Sequence, residues 1–61
     1  MSSKELINLL KDNGWYEVRQ KGSHKVFKHD EKRMLITVPE HGKRDIAKGT
    51  LNAILKEAGL K

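Results

Sequence analysis

Apolar residues near the start of the chain recur at helical spacing and predict an amphipathic helix. The apolar stripe consists of Leu6, Ile7, Leu9 and Leu10. Ser2 followed by Glu5 fits a capping box, in which the serine hydroxyl accepts from an early backbone amide and the glutamate accepts from the serine amide. Gly14, directly after Asn13, suits the left-handed residue that closes a helix. We therefore expect a first helix between Ser2 and Gly14.

Three stretches rich in β-branched and aromatic residues follow, and short polar turns separate them. The predicted strands are 15–20, 24–29 and 34–38, with turns at 21–23 and 30–33. Pro39 should end the third strand because it has no amide hydrogen to donate to a ladder. The alternation of Met34, Ile36 and Val38 predicts that these three side chains face inward.

Two pairs of neighbouring residues carry an ambiguity about sheet faces. Val26 and Phe27 are adjacent and both apolar, so the pattern leaves open which face carries His24. Of Trp15 and Tyr16, we expect Trp15 in the core. Tyr16 could stack on a nucleic-acid base, although packing in the core or at its rim is favoured.

A charged loop over 40–45, with room for a single turn at 46–47, leads to a second predicted helix. Thr50 is expected to cap this helix, and Gly59 is placed to terminate it. The apolar stripe of the helix consists of Leu51, Ile54, Leu55 and Ala58.

This order of elements predicts an α+β fold. A helix, three short strands and a helix imply a two-layer α-β-β-β-α domain, with an antiparallel three-stranded sheet and both helices on one face. A chain of 61 residues is expected to form one domain over 1–61. The other face of the sheet would remain in water, flanked by basic strands and loops.

Positive charge is concentrated in the middle of the chain. Residues 19–48 contain nine Lys and Arg against four Asp and Glu, so the whole formal net charge of +5 lies there. This concentration favours a surface for a polyanion. A membrane surface is disfavoured, because it calls for a basic amphipathic helix and the basic segment is predicted as strands. DNA is disfavoured because neither helix is basic enough to read a major groove, and a solvated basic face without a partner remains the alternative.

The composition limits the compartment and the available chemistry. Without cysteine the chain has neither a disulfide nor a thiolate metal site, as is usual in the cytosol. It has no apolar run near the length of a membrane span and no apolar signal region at its start. We therefore expect a cytoplasmic protein.

His24, between the first turn and the second strand, is the candidate catalytic residue. RNA cleavage without a metal needs a base for the 2′-hydroxyl proton, an acid for the leaving 5′-oxygen, and positive groups near the phosphate. An imidazole suits the first two roles, because both of its protonation states are available near neutral pH. Taken from spacing alone, the favoured interpretation of His24 is an ordinary surface histidine or a hydrogen-bonded core histidine, and the catalytic role is the alternative.

The other two histidines are weaker candidates. His41 lies in a loop and could act as an acid, as a phosphate contact or as neither, and His29 is expected to be solvated. The histidine spacings match neither the helical zinc motif nor zinc modules, so no metal and no cofactor are expected.

Several residues around His24 could contact the phosphates of an RNA, and their clustering carries the prediction. The predicted RNA contacts are Lys21, Gly22, Ser23, Lys25, Lys28, His41, Lys43 and Arg44, with Arg33 as a further cation.

The ordered set of motifs resembles the HicA toxin family across essentially the whole chain. The motifs are Gly22-Ser23-His24 after Arg19-Gln20-Lys21, residues 26–29, residues 38–42, residues 48–51, residues 54–60, and an amino-terminal helix ending in Asn13-Gly14-Trp15. The resemblance implies a fold similar to the double-stranded-RNA-binding domain and ribosome-independent cleavage of mRNA. It also implies catalysis by His24 and a HicB-type antitoxin that occludes the site. The complementary acid stays open among His41, a lysine and water.

Two other classes of function remain as alternatives. One is a non-catalytic RNA-binding module of the same fold, in which His24 contacts the RNA backbone or a 2′-hydroxyl. The other is a purely structural interaction domain, which predicts no salt-dependent affinity for RNA.

Overall fold

The computed structural model describes residues 1–40 and 44–61 and confirms the predicted order of elements. The elements are α1 (Ser3–Asp12), β1 (Trp15–Lys21), β2 (His24–His29), β3 (Lys32–Pro39) and α2 (Lys48–Glu57). The three strands form one antiparallel sheet in the order β1-β2-β3. The expected α+β architecture, with helices packed on one face of an open sheet, is therefore the observed one.

Helix α1 begins and ends where its sequence signals place it. The Ser2 hydroxyl accepts from the amide of Glu5 at 3.2 Å, and the Ser2 amide donates to the Glu5 carboxylate at 3.3 Å, which completes the capping box. Gly14 has a φ of +92°. A Cβ at this position would lie 2.7 Å from Nε2 of His29, so both the backbone and the neighbouring ring favour glycine.

The two faces of the sheet follow from the register. The inner face packs on the helices, and the core there includes Phe27, Ile36 and Val38, all fully buried, together with residues of both helices. The opposite side is called the outer face here. Because side chains alternate along a strand, Val26 and His24 lie on the outer face. Val26 is nevertheless only 6% exposed, although it does not belong to the core cluster. The two adjacent apolar residues of β2 are therefore both buried, Phe27 on the inner face and Val26 on the outer face.

The third strand departs from its predicted pattern. Met34 is 49% exposed and does not join the core, whereas Ile36 and Val38 are buried as predicted. The pairing of β2 and β3 shifts between Phe27 and His29, so Met34 lies in the irregular part of β3, between the paired residues Lys32 and Ile36. The predicted turn at 30–33 is also shorter, because Lys32 already belongs to β3.

The observed start of α2 differs from the predicted one. The helix begins at Lys48 after Ala47, and no side chain caps it, so Thr50 lies inside the first turn. No helical turn forms at 46–47; Ile46 is buried in the core, and its amide donates to the carbonyl of Met1 at 2.9 Å.

The end of α2 is the predicted one. Gly59 has a φ of +75°, and its amide donates to the carbonyl of Lys56 at 3.1 Å. The amide of Leu60 donates to Leu55 at 2.8 Å, which completes a Schellman motif. In the part of the chain that the structure describes, neither helix has the length and apolar character needed to cross a membrane.

Candidate functional site

His24 lies on the outer face as the first residue of β2, and its side chain is exposed. Its Cα partners are Lys21 on β1 and Pro39 on β3. The ring is therefore placed on a central strand, which limits its movement, and remains open to solvent. A catalytic imidazole needs both properties, because it must be held in position and still reach a substrate proton.

The turn before His24 is fixed by its backbone. Gly22 has a φ of +59°, as a two-residue hairpin turn with glycine in first place requires. The Gln20 side-chain amide donates to the carbonyl of Gly22 at 3.1 Å, and the amide of Glu40 donates to the carbonyl of Ser23 at 2.6 Å. The second bond joins the turn to the end of β3. These contacts fix the backbone of the turn that precedes His24, while Gly22 and Ser23 stay exposed.

Positive residues accompany His24 on the outer face. Lys21 is the Cα partner of His24, and Arg19 is the partner of Val26 two residues along β2. Lys28 lies on the same face at the far end of β2, about 13 Å from His24 at the usual rise of an extended strand. All three cations are exposed.

Lys25 is separated from this group. It lies on the inner side of β2, with its side chain 23% exposed. Its Nζ is 3.6 Å from Oε1 of Glu17 and 3.4 Å from Oε2 of Glu40. The structure therefore does not bring this predicted RNA contact together with His24. Glu17 is the only acidic residue in the three strands, so its pairing with Lys25 leaves the strand positions of the outer face without a carboxylate.

Arg44 lies at the same end of the molecule as His24. It lines a depression of about 310 Å³ together with Pro39 and Thr50, and Pro39 is the β3 partner of His24. The predicted site residues His41 and Lys43 lie outside the described residues, with Gly42 between them.

His29 is half-buried and hydrogen-bonded through both ring nitrogens, so it is only partly solvated and has a structural role. Its Nδ1 accepts from the amide of Glu31 at 3.0 Å, so Nε2 carries the proton and donates to the carbonyl of Asn13 at 3.0 Å. The ring also packs edge-on against Trp15, with 5.2 Å between the ring centroids. Trp15 is buried as predicted.

Two residues of the outer face, Arg19 and Tyr16, are not among the predicted RNA contacts. Arg19 lies two residues before Lys21, and this strand spacing is the signal in the sequence that places the two cations on the same face. Tyr16 is 42% exposed, and its hydroxyl donates to Oδ1 of Asp30 at 2.9 Å. This hydrogen bond to a carboxylate raises the pKa of the Tyr16 phenol above its ordinary value. Because Trp15 is predicted in the core, strand alternation alone places its neighbour Tyr16 on the opposite face.

The described ranges 1–40 and 44–61 contain no group of three or more His, Asp or Glu side chains arranged to hold a metal ion. What the arrangement offers is one accessible imidazole with lysine and arginine side chains on the same sheet face. Such a combination can exchange protons and stabilise negative charge on a phosphate.

The chain matches a known protein family over nearly its whole length. The family model described as "HicA toxin of bacterial toxin-antitoxin" matches residues 3–60. No curated protein sequence matches the chain.

Proposed function

We propose that this chain, which belongs to the HicA toxin family, acts as a metal-independent endoribonuclease that cleaves mRNA, with His24 as general acid or base. The family match supports a toxin role in a toxin–antitoxin system. The observation that carries the catalytic proposal is the exposed imidazole of His24 on the cationic outer face.

The proposed reaction uses the RNA's own nucleophile. The ribose 2′-hydroxyl loses its proton and attacks the adjacent phosphorus, and the bond to the 5′-oxygen breaks as that oxygen takes up a proton. The products are a 2′,3′-cyclic phosphate and a free 5′-hydroxyl. His24 serves one of the two proton transfers, and the second is served by His41, a lysine or water. Lys21 stabilises the charge that builds up on the phosphate oxygens.

The remaining RNA contacts are proposed from their placement around His24. Gly22 and Ser23 present an exposed turn, Lys28 extends the outer face, and Arg44 adjoins Pro39. His41 and Lys43 belong to this proposal on their sequence positions alone. We further propose a cytoplasmic location, where mRNA is available, and a HicB-type antitoxin that covers His24.

The test is cleavage of a labelled RNA by the purified chain and by His24→Gln. General acid–base catalysis contributes about 10²–10⁴-fold to a rate, so His24→Gln should lose at least ~100-fold. Asn8→Ala, an exposed change on α1, is the matched control and should cleave at the parent rate. Circular dichroism of each variant verifies folding.

Two further measurements sharpen the test. Added imidazole should partly restore cleavage to His24→Gly, because the free ring supplies the missing proton transfer. Cleavage should persist in EDTA, and the products should carry cyclic phosphate ends. Equal rates for His24→Gln and the parent would refute the role of His24. RNA binding without cleavage by the parent would favour the non-catalytic RNA-binding module.

A further inference from the structure

The outer face combines cations with exposed apolar side chains. Glu17 and Ile36 lie on the inner face, so strand alternation places Tyr16, Val18 and Leu35 on the outer face. The β1–β2 register shifts between Glu17 and Arg19, which brings Arg19 to the outer face beside Val18. Tyr16 is 42% exposed, and Val18 and Leu35 are each 46% exposed. The core joins α1 and α2 to the opposite side, so within the described residues no helix covers these side chains.

The ring of Tyr16 is held in a defined position. Its Cα partner is Lys28, and its hydroxyl donates to Asp30 at 2.9 Å. The hydrogen bond lies at the tip of the phenol and leaves the ring exposed. An aromatic ring fixed on an antiparallel sheet, with lysine and arginine around it, is the arrangement on which proteins stack unpaired bases.

The charge on this face has one sign along the strands. Arg19, Lys21 and Lys28 are exposed, while Glu17 is paired with Lys25 on the inner side. Asp30 accepts from Tyr16 at the β2–β3 turn. The three cations follow β2 from its far end to His24, over about 13 Å of strand. A phosphate backbone can therefore run along β2 and reach the imidazole.

We propose that the outer face binds single-stranded RNA, with one base stacked on Tyr16 and phosphates at Arg19, Lys21 and Lys28. This inference rests on the proposed function and adds the class of RNA and its path to His24. A duplex fits this face poorly, because its bases are already stacked within the helix and its grooves present edges and backbone. The apolar side chains alternate with cations, so the face suits a nucleic acid better than an apolar protein surface.

The experiment uses the full chain carrying His24→Ala, which blocks the proposed cleavage. Fluorescence anisotropy measures its affinity for a labelled ten-nucleotide RNA, alone and annealed to its complement. The single strand should bind at least tenfold more tightly than the duplex. Adding Tyr16→Leu should weaken single-strand binding about tenfold by removing the stacked ring. Tyr16→Phe keeps the ring and should stay within about threefold.

A pair of lysine changes provides the charge control. Lys28→Ala and Lys11→Ala remove the same charge from the outer face and from α1 respectively. Only Lys28→Ala should weaken RNA binding, and thermal unfolding of each variant shows that it is folded. Amide chemical shifts recorded with the single strand should change along β1 and β2 and not along α1.

The outcomes separate this inference from the proposed function. Equal affinity for Tyr16→Leu and Tyr16→Phe, or equal affinity for duplex and single strand, would overturn the inference and leave the outer face to a protein partner. Selective single-strand binding by a chain that never cleaves RNA would refute the nuclease while supporting the binding surface. Cleavage that does not depend on Tyr16 would support the nuclease while refuting the binding surface.

Discussion

His24 and His29 lie at the two ends of β2, five residues apart, and therefore on opposite faces of the sheet. His24 faces outward and is exposed. His29 faces inward, where the Glu31 amide and the Asn13 carbonyl occupy both of its nitrogens. The same side chain thus serves as the candidate proton carrier at one end and as a structural link at the other. The odd spacing puts the two rings on opposite faces, and the inward position of Phe27, two residues from His29, assigns the inner face to His29.

Because His29 links the sheet to the end of α1, we expect its removal to lower the stability of the fold without lowering RNA cleavage. His29→Ala removes two hydrogen bonds and the edge contact with Trp15, and it should lower the free energy of unfolding by about 1–3 kcal/mol. Urea unfolding measures this value. Cleavage per folded molecule should match the parent. His24→Ala should show the opposite result, with stability changed by no more than about 0.5 kcal/mol, as at other exposed sites. A His29→Ala chain as stable as the parent would contradict the structural role.

The single tyrosine gives a second prediction at residue scale. Its phenol donates to Asp30, and this bond raises the pKa of Tyr16 above its ordinary value of 10.0. Because the chain has one tyrosine, ultraviolet titration of phenolate reports this residue alone. The midpoint should lie above pH 10 and fall in Asp30→Ala.

The same shift fixes the sign of a stability change. A raised pKa in the folded state means that folding favours the neutral phenol, so this contribution is complete below pH 10 and is lost as the pH rises through the folded value. The parent should therefore lose more stability than Asp30→Ala above pH 10. A midpoint that Asp30→Ala leaves unchanged would show that the hydrogen bond is absent in solution.

The elements differ in how far local sequence determines their ends. Local signals specify both ends of α1. The capping box of Ser2 and Glu5 sets its start, and Gly14 follows its end, so both ends are predictable. The start of α2 is not, because Thr50 is an acceptable cap that the fold does not use. Burial of Ile46 and its backbone bond to Met1 fix the chain just before Lys48, and these contacts span the sequence. Tertiary contacts therefore override a reasonable local signal.

The uncapped start of α2 predicts a stabilising substitution. Ala47 has an extended backbone with a ψ of 138° and no side-chain acceptor for the first amides of the helix. Ala47→Ser supplies that acceptor and should raise the free energy of unfolding by about 0.5–1 kcal/mol. Ala53→Ser makes the same change inside α2 at an exposed position and should be neutral or mildly destabilising. A midpoint temperature of thermal unfolding that shifts in the same direction for both variants would contradict a capping effect.

At the scale of the whole molecule, the fold divides the basic middle of the chain between two faces. Sequence alone locates the excess charge and His24, but the adjacent Val26 and Phe27 leave the phase of β2 open. Both prove buried, for different reasons: Phe27 packs into the helix-covered core, and Val26 lies outside that core between its partners Arg19 and Thr37. Two properties depend on which residues of β2 face inward and on the register of β2 with its neighbours. They are the sheet face on which each cation lies and the pairing of Lys25 with two acids.

The salt dependence of RNA binding tests that division of charge. Each phosphate contact with a single strand contributes about 0.7 to the slope of log affinity against log salt concentration. In the His24→Ala chain, Lys21→Ala and Lys28→Ala should each reduce the slope by about that amount. Lys25→Ala removes the same charge from between Glu17 and Glu40 and should leave the slope unchanged. An equal reduction for Lys25 would mean that RNA contacts it, as its sequence position predicts, and that the two faces do not act separately.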